Sequence, residues 1–182
     1  MGRLAIEQRE QMPQADQHYY DRILRTRGRV AGPFSVLLNS PDIAERIAFL
    51  GSFIVYESIL SPRVKYLSML LAARSFDCDY VWDAVLPHAR EADLDDELAA
   101  ALAAGEAPTS ASDEDLLVAR YCRKLLGGNH HVDDETYRAV VDHFGVPAAA
   151  QIAYTVGYVV MIAMLCNAFE VEVDLDDPEL VM

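Results

Sequence analysis

Residues 60–94 constrain the fold more than any other part of this chain. Ser61 and Pro62 are a typical helix start, an N-cap followed by proline at the first helical position. Apolar residues then recur at helical spacing: Val64, Leu67, Leu70 and Leu71. After a short break, Asp77 or Asp79 is placed to cap a second helix. The segment therefore predicts two successive amphipathic helices.

The same signals recur along the chain, whereas strand signals are scarce. Ser40 and Pro41 repeat the helix start, and Gly145 followed by Pro147 precedes a long apolar helix that ends near Phe169. We expect the helix after Pro41 to bury the stripe Ile43, Ile47, Leu50, Ile54 and Ile59. Met69, Met161 and Met164 are expected to fill the core of apolar helices. No alternating run bounded by turn residues indicates a hairpin, so we predict an all-α fold.

Charge excludes two classes of partner. The formal net charge is −14, and residues 91–115 and 170–182 hold 15 of the 29 acidic residues and no basic residue. Acidic stretches repel nucleic acid phosphates and anionic lipids. The longest apolar stretch, 152–169, is interrupted by Tyr154, Gly157 and Asn167, which favours a buried helix over one that crosses a membrane. We therefore expect neither nucleic acid nor a membrane as a partner.

The number and spacing of the cysteines, and the composition of the N-terminal residues, bear on the cellular compartment. Cys78, Cys122 and Cys166 are odd in number and widely spaced, which is typical of a reducing environment rather than a disulfide framework. The first 17 residues contain no continuous apolar region of the secretory kind. We expect a cytoplasmic protein. No Cys or His spacing matches a zinc site, so we predict no metal.

Four segments, in this order, resemble one known family. They are GRVAGPFSVLLNSPDIAERIAFLGSFI (28–54), LSPRVKYLSMLLAAR (60–74), CDYVWDAVLPHAREADL (78–94) and VGYVVMIAMLCNAFEV (156–171). Together they resemble the carboxymuconolactone decarboxylase and alkylhydroperoxidase-D-like family. The resemblance implies a single-domain helical bundle with an N-terminal arm and helix (1–28), a family-like core (29–170) and an acidic tail (171–182). It also implies a homo-oligomer, commonly a trimer or hexamer, without a cofactor.

The chain departs from the family at the positions that carry chemistry. Redox members use a CxxC pair with a nearby Glu and His, and non-redox members use His and Glu on a lactone or carboxylate. Here Tyr66 stands at the Glu position, Val81 at the second Cys or Glu, and Val85 at the His; Val159 and Val160 replace a Tyr and a polar residue. The helical segments of the family are therefore retained, whereas most of the charged and reactive residues of its site are replaced.

The remaining polar and aromatic residues define a candidate site. Val81, Val85 and His88 share one stripe of the second helix, and Cys78 and Trp82 lie on the neighbouring stripe. We expect Tyr66 to approach from the preceding helix, and Tyr158 with Val159 from the C-terminal helix. The predicted catalytic residues are Tyr66, His88 and Glu57. The predicted substrate-binding residues, which would line a largely apolar cavity, are Cys78, Val81, Trp82, Val85, Tyr158 and Val159.

Three functions fit this pattern. The first is a diverged enzyme that uses acid–base chemistry for decarboxylation, lactone opening, isomerisation or cyclisation of a small, apolar cyclic substrate. The second is a binding or assembly protein whose former active site is packed shut. The third is a peroxidase that pairs the Cys78 thiol with a thiol from another molecule. Each residue also has a structural interpretation: His88 as an exposed helix residue, Tyr66 and Trp82 as core residues, and Cys78 as an inert thiol.

Overall fold

The computed structural model describes residues 3–6, 8–107 and 109–172 of the 182-residue chain. Over these residues the protein is all-α, with nine α-helices and no strand. The helices are α1 (Gln17–Arg27), α2 (Pro33–Leu37), α3 (Pro41–Ser52), α4 (Pro62–Ser75), α5 (Asp79–Glu91), α6 (Asp96–Ala103), α7 (Asp113–Leu126), α8 (Asp134–Phe144) and α9 (Val146–Phe169). A 3₁₀ turn (Arg9–Gln11) precedes α1 and a π-helical turn (Phe53–Glu57) follows α3. The predicted acidic tail lies outside the described residues from position 173 onward.

The helices form two compact units. The first consists of residues up to Ser58 together with those from Met164, and the second runs from Ile59 to Ala163. In the first unit α3 contacts α1, α2 and the π-helical turn. In the second unit α4 contacts α5, α6 and α7, and α7 also contacts α8.

Helix α4 is the central helix of the second unit. Its start is the predicted one: Pro62 is the first helical residue, and the Ser61 hydroxyl accepts a hydrogen bond from the Val64 amide at 3.2 Å. Its side chains are buried almost all the way round, from Val64 to Ala73, because three helices cover it. Complete burial of a leucine such as Leu70 stabilises a fold by about 1.5–3 kcal/mol.

Helix α5 lies along α4 and buries one face. That face carries Tyr80, Val81, Ala84, Val85 and Ala89. The predicted cap by Asp77 or Asp79 is wrong, because Cys78 is the N-cap residue and its side chain makes no capping hydrogen bond. Pro87 lies inside the helix. The two predicted helices of residues 60–94 are therefore present, packed together.

The predicted buried stripe of α3 is wrong in part. Ile47 and Ile54 are buried, but Ile43 and Leu50 are 54% and 39% exposed. The buried face instead combines Ile47 with small residues: Ala44, Ala48 and Gly51. Small side chains let neighbouring helices approach closely, so packing selects a face offset from the isoleucine and leucine stripe. Ile59 is 62% exposed because the helical segment ends at Glu57, before it.

Two methionines also lie elsewhere than expected. Met69 is in the core, but Met161 and Met164 on α9 are 37% and 54% exposed. Because α9 carries no charged residue, its composition does not distinguish the covered side from the open side. By length and composition alone α9 is long enough and apolar enough to cross a membrane, and 44% of its most apolar window is buried inside the protein. The core helix of a soluble protein meets the same criterion.

Candidate functional site

Tyr66 and His88 meet where α4 lies against α5. Their ring centroids are 5.7 Å apart and the ring planes are inclined by 23°, a stacked arrangement. Tyr66 is half-buried, whereas the His88 side chain is 56% exposed and its Nδ1 lies 3.9 Å from a carboxylate oxygen of Glu91. The structure thus brings together two of the three predicted catalytic residues and leaves the imidazole open to solvent.

Lys65 belongs to the same cluster, and the sequence analysis missed it. Its residue exposure is only 7%, and its Nζ lies 4.9 Å from the centroid of the Tyr66 ring. Burial disfavours the charged ammonium and lowers the pKa of Lys65 below its ordinary value. One signal was available, because Lys65 begins a helical stretch in which the next charged residue is Arg74.

The predicted substrate-binding residues lie deeper than the two rings. Five of them are at most 3% exposed: Cys78, Val81, Val85, Tyr158 and Val159. Trp82 is half-buried, and the Arg74 guanidinium carbon lies 5.6 Å from its ring centroid, a cation–π contact. Residues this deeply buried pack as core, and the cavity expected among them stays a prediction.

Glu57, the third predicted catalytic residue, lies in the first unit. It is exposed, at the end of the π-helical turn, and lines a cavity of about 250 Å³ between α1 and α3. Other residues of that cavity include Arg22, Arg25, Glu45 and Phe49, and Arg22 forms an ion pair with Glu45. Within its own unit, Glu57 therefore faces a mixture of charges and an aromatic ring.

The three cysteines bear on the peroxidase interpretation. Cys78, Cys122 and Cys166 are all unbridged and buried. Burial raises the pKa of Cys122 to about 12, which its Ser68 hydrogen bond only partly offsets. Cys78 is 2% exposed, and because a peroxide must reach a thiolate to react, such burial favours the inert role for this thiol.

Among the residues that the structure describes, no group of three or more His, Cys, Asp or Glu side chains is arranged to hold a metal ion. No protein-family model matches the sequence. No curated protein matches it with significant similarity either. The candidate site is therefore defined by the chain's own geometry: Lys65, Tyr66 and His88 at the contact between α4 and α5.

Proposed function

We propose that this chain is a carboxymuconolactone decarboxylase-like enzyme that works without a cofactor on a small, largely apolar cyclic substrate. Its chemistry is acid–base catalysis of decarboxylation, lactone opening, isomerisation or cyclisation. The observation that carries the proposal is the stacked contact of Tyr66 and His88, with ring centroids 5.7 Å apart. The protein of this proposal is cytoplasmic and forms a homo-oligomer, a trimer or hexamer. Sedimentation equilibrium measures the mass of that assembly directly.

The two rings offer complementary chemistry. A phenol donates a hydrogen bond to oxygen as negative charge develops there, for example on an enolate. An imidazole next to it transfers the proton to or from carbon, and its partial exposure lets it exchange that proton with water. Since Tyr66 is half-buried, its hydrogen bond acts in a less polar environment than bulk water, which strengthens it.

The test is turnover of a panel of lactones, β-keto acids and vinylogous acids by the wild type and four variants. Tyr66→Phe and His88→Gln remove the proposed groups, while Tyr137→Phe and His143→Gln change an exposed tyrosine and an exposed histidine outside the site. We expect His88→Gln to lower kcat by roughly 10²–10⁴ and the two control variants to match the wild type. Equal rates in all five proteins would remove the mechanism.

One observation favours a second candidate, a non-catalytic binding or assembly protein on the same frame. Val81 and Val85, at two family site positions, are 0% and 2% exposed, as in a site that has been packed shut. A protein of this kind turns over no substrate of the panel, so the wild type and the His88→Gln variant give the same background rate. Turnover that depends on His88 excludes this candidate.

A further inference from the structure

The cavity between α1 and α3 is a feature of the molecule that the proposed function leaves unused. Its volume is about 250 Å³, and all the residues that line it, from Arg22 to Glu57, belong to the first unit. Tyr66 and His88, which carry the proposed catalysis, belong to the second unit. The cavity is therefore built without any residue of the catalytic pair.

The lining of this cavity is apolar at its base and aromatic at its rim. Ile23 of α1 and Ala48 of α3 are 1% and 5% exposed, whereas Phe49 is 76% exposed. Arg27 of α1 donates a hydrogen bond from Nη2 to the Ala48 carbonyl at 3.0 Å, which ties the two helices together beside the cavity. The cavity thus offers a preformed apolar floor and an aromatic face, which suit the ring of a small ligand.

A π-helical turn brings Glu57 to the same cavity. Five residues of an α-helix turn the chain through about 500°, so a regular continuation of α3 would point residue 57 about 140° away from Ser52. The wider turn of Phe53–Glu57 returns the chain after about five residues instead, and Glu57 lines the cavity together with Ser52 and Phe49. Such turns are rare in proteins and occur frequently at functional sites.

The cavity also carries two opposite charges that no neighbouring side chain neutralises. Its Glu45 is already paired with Arg22. Within the described part of the chain, the side chains of Arg25 and Glu57 form no ion pair or hydrogen bond, either with each other or with another group. A charge that faces a cavity in this way is available for a charge-assisted hydrogen bond to a ligand.

We propose that this cavity binds an α-amino acid with an aromatic side chain. Arg25 holds the carboxylate of the ligand, and Glu57 accepts hydrogen bonds from its ammonium group. The ring of the ligand packs on Ile23 and against the ring of Phe49. A volume of about 250 Å³ equals the share of about eight water molecules in the liquid, which fits a ligand with a single ring.

The signs of the two charges select this class of ligand. An aromatic carboxylate would pair with Arg25 but bring a second negative charge towards Glu57. An aromatic amine would pair with Glu57 but bring a second positive charge towards Arg25. Placing like charges side by side is unfavourable, so a molecule that carries both charges binds better than either.

The test is ligand-observed NMR titration of the full chain with L-phenylalanine and three compounds that each lack one of its groups. 3-Phenylpropionate lacks the ammonium, 2-phenylethylamine lacks the carboxylate, and L-alanine lacks the ring. We expect L-phenylalanine to bind with a Kd of about 1 mM, and each of the other compounds to bind about 10-fold more weakly or worse. This comparison uses only the wild type, so it does not depend on whether a variant folds.

Two substitutions should each remove one contact. Arg25→Gln and Glu57→Gln should each weaken the binding of L-phenylalanine by about 10- to 100-fold. Arg25→Gln should not weaken 2-phenylethylamine, and Glu57→Gln should not weaken 3-phenylpropionate, because neither compound contacts the group that was removed. The controls are Arg138→Gln and Glu135→Gln on α8, whose side chains are 73% and 87% exposed and lie outside the cavity. Both controls should bind L-phenylalanine as the wild type does.

Three results would overturn the proposal. The first is no binding of L-phenylalanine up to about 10 mM. The second is binding that neither Arg25→Gln nor Glu57→Gln weakens. The third is equal binding of 3-phenylpropionate and L-phenylalanine with no effect of Glu57→Gln, because the cavity would then take an aromatic acid rather than an amino acid. Binding is measured without turnover, so the result stands whether or not the protein turns over any lactone or acid of the panel.

Discussion

Arg63 holds both carboxylate oxygens of Asp115. Its Nε donates to Oδ1 and its Nη2 donates to Oδ2, each at 2.8 Å, and the Asp115 side chain is only 2% exposed. The same carboxylate accepts hydrogen bonds from the backbone amide and the hydroxyl of Ser112. The Asp115 amide in turn donates a hydrogen bond to the Ser112 hydroxyl. The first residues of α4 are thereby joined to the capping box that begins α7.

Asp115→Asn should destabilise the protein strongly. The substitution keeps the shape but removes the charge that Arg63 faces, and breaking one partner of a buried ion pair costs about 3–5 kcal/mol. Urea unfolding at pH 7 measures the change. The control is Asp77→Asn, because the pair that Asp77 forms with Arg74 is exposed, with 91% of the Asp77 side chain accessible. If Asp115→Asn lost no more unfolding free energy than the control, the ion pair of Arg63 and Asp115 would contribute little to stability.

The same pair predicts how stability depends on pH. Burial alone would raise the pKa of Asp115, but the hydrogen bonds from Arg63 and Ser112 outweigh it and hold that pKa below its ordinary value. Since the folded pKa is the lower one, this stabilisation is complete above the unfolded pKa, about 3.9, and is lost as the pH falls through the folded pKa. The difference in unfolding free energy between the wild type and Asp115→Asn should therefore become smaller below about pH 4. A gap that stays constant from pH 7 to the acid limit of folding would contradict this assignment.

Lys65→Met should make the protein more stable at neutral pH. The pKa of Lys65 is lowered by burial, so its charged form disfavours the folded state at neutral pH. This penalty fades as the pH rises from the folded pKa to the unfolded one, about 10.4, where both states are neutral. Thermal unfolding at pH 7 and pH 10 should show a higher Tm for the variant at pH 7 and a smaller difference at pH 10. A variant that is less stable at pH 7 would show that Lys65 mainly supports the fold.

Cys122 should resist alkylation as long as the protein is folded. Burial raises its pKa to about 12, and its accessible area is zero, so at pH 8 only about one molecule in 10⁴ carries the thiolate. Incubation with iodoacetamide at pH 8, followed by peptide mapping, should leave Cys122 unmodified in native protein and label it fully in 6 M guanidinium. Rapid labelling under native conditions would mean that α7 opens on the timescale of the experiment.

Helix starts were the most predictable part of the fold. Ser61 with Pro62 begins α4 as predicted, because a cap depends on residues three positions apart along the chain. The capping box of Ser112 and Asp115 that begins α7 is equally local. The exposed turn of His130 and His131 was foreseeable for the same reason, since the glycines and the asparagine before it end the helix locally.

Burial was less predictable where a helix offers more than one apolar face. Ile43 and Leu50 on α3 are as apolar as Ile47 and Ile54, and the alanines and Gly51 beside them are compatible with either orientation. The neighbours α1 and α2 contact α3, and the face of α3 that carries the small residues is the buried one. For the same reason the exposure of Met161 and Met164 on the uniformly apolar α9 was not foreseen.

The sequence alone determined the all-α class and the starts of α3 and α4, because these depend on local signals. The expectation that Tyr66 and His88 share a site came from the family resemblance. Only the tertiary structure decided which helix faces are covered and that Lys65 is buried beside the Tyr66 ring. It also decided that Arg63 forms an ion pair with Asp115, which lies 52 residues further along the sequence. Such contacts arise when separate helices share one core. Their free energies come from the removal of water by several elements at once, which no single stretch of residues encodes.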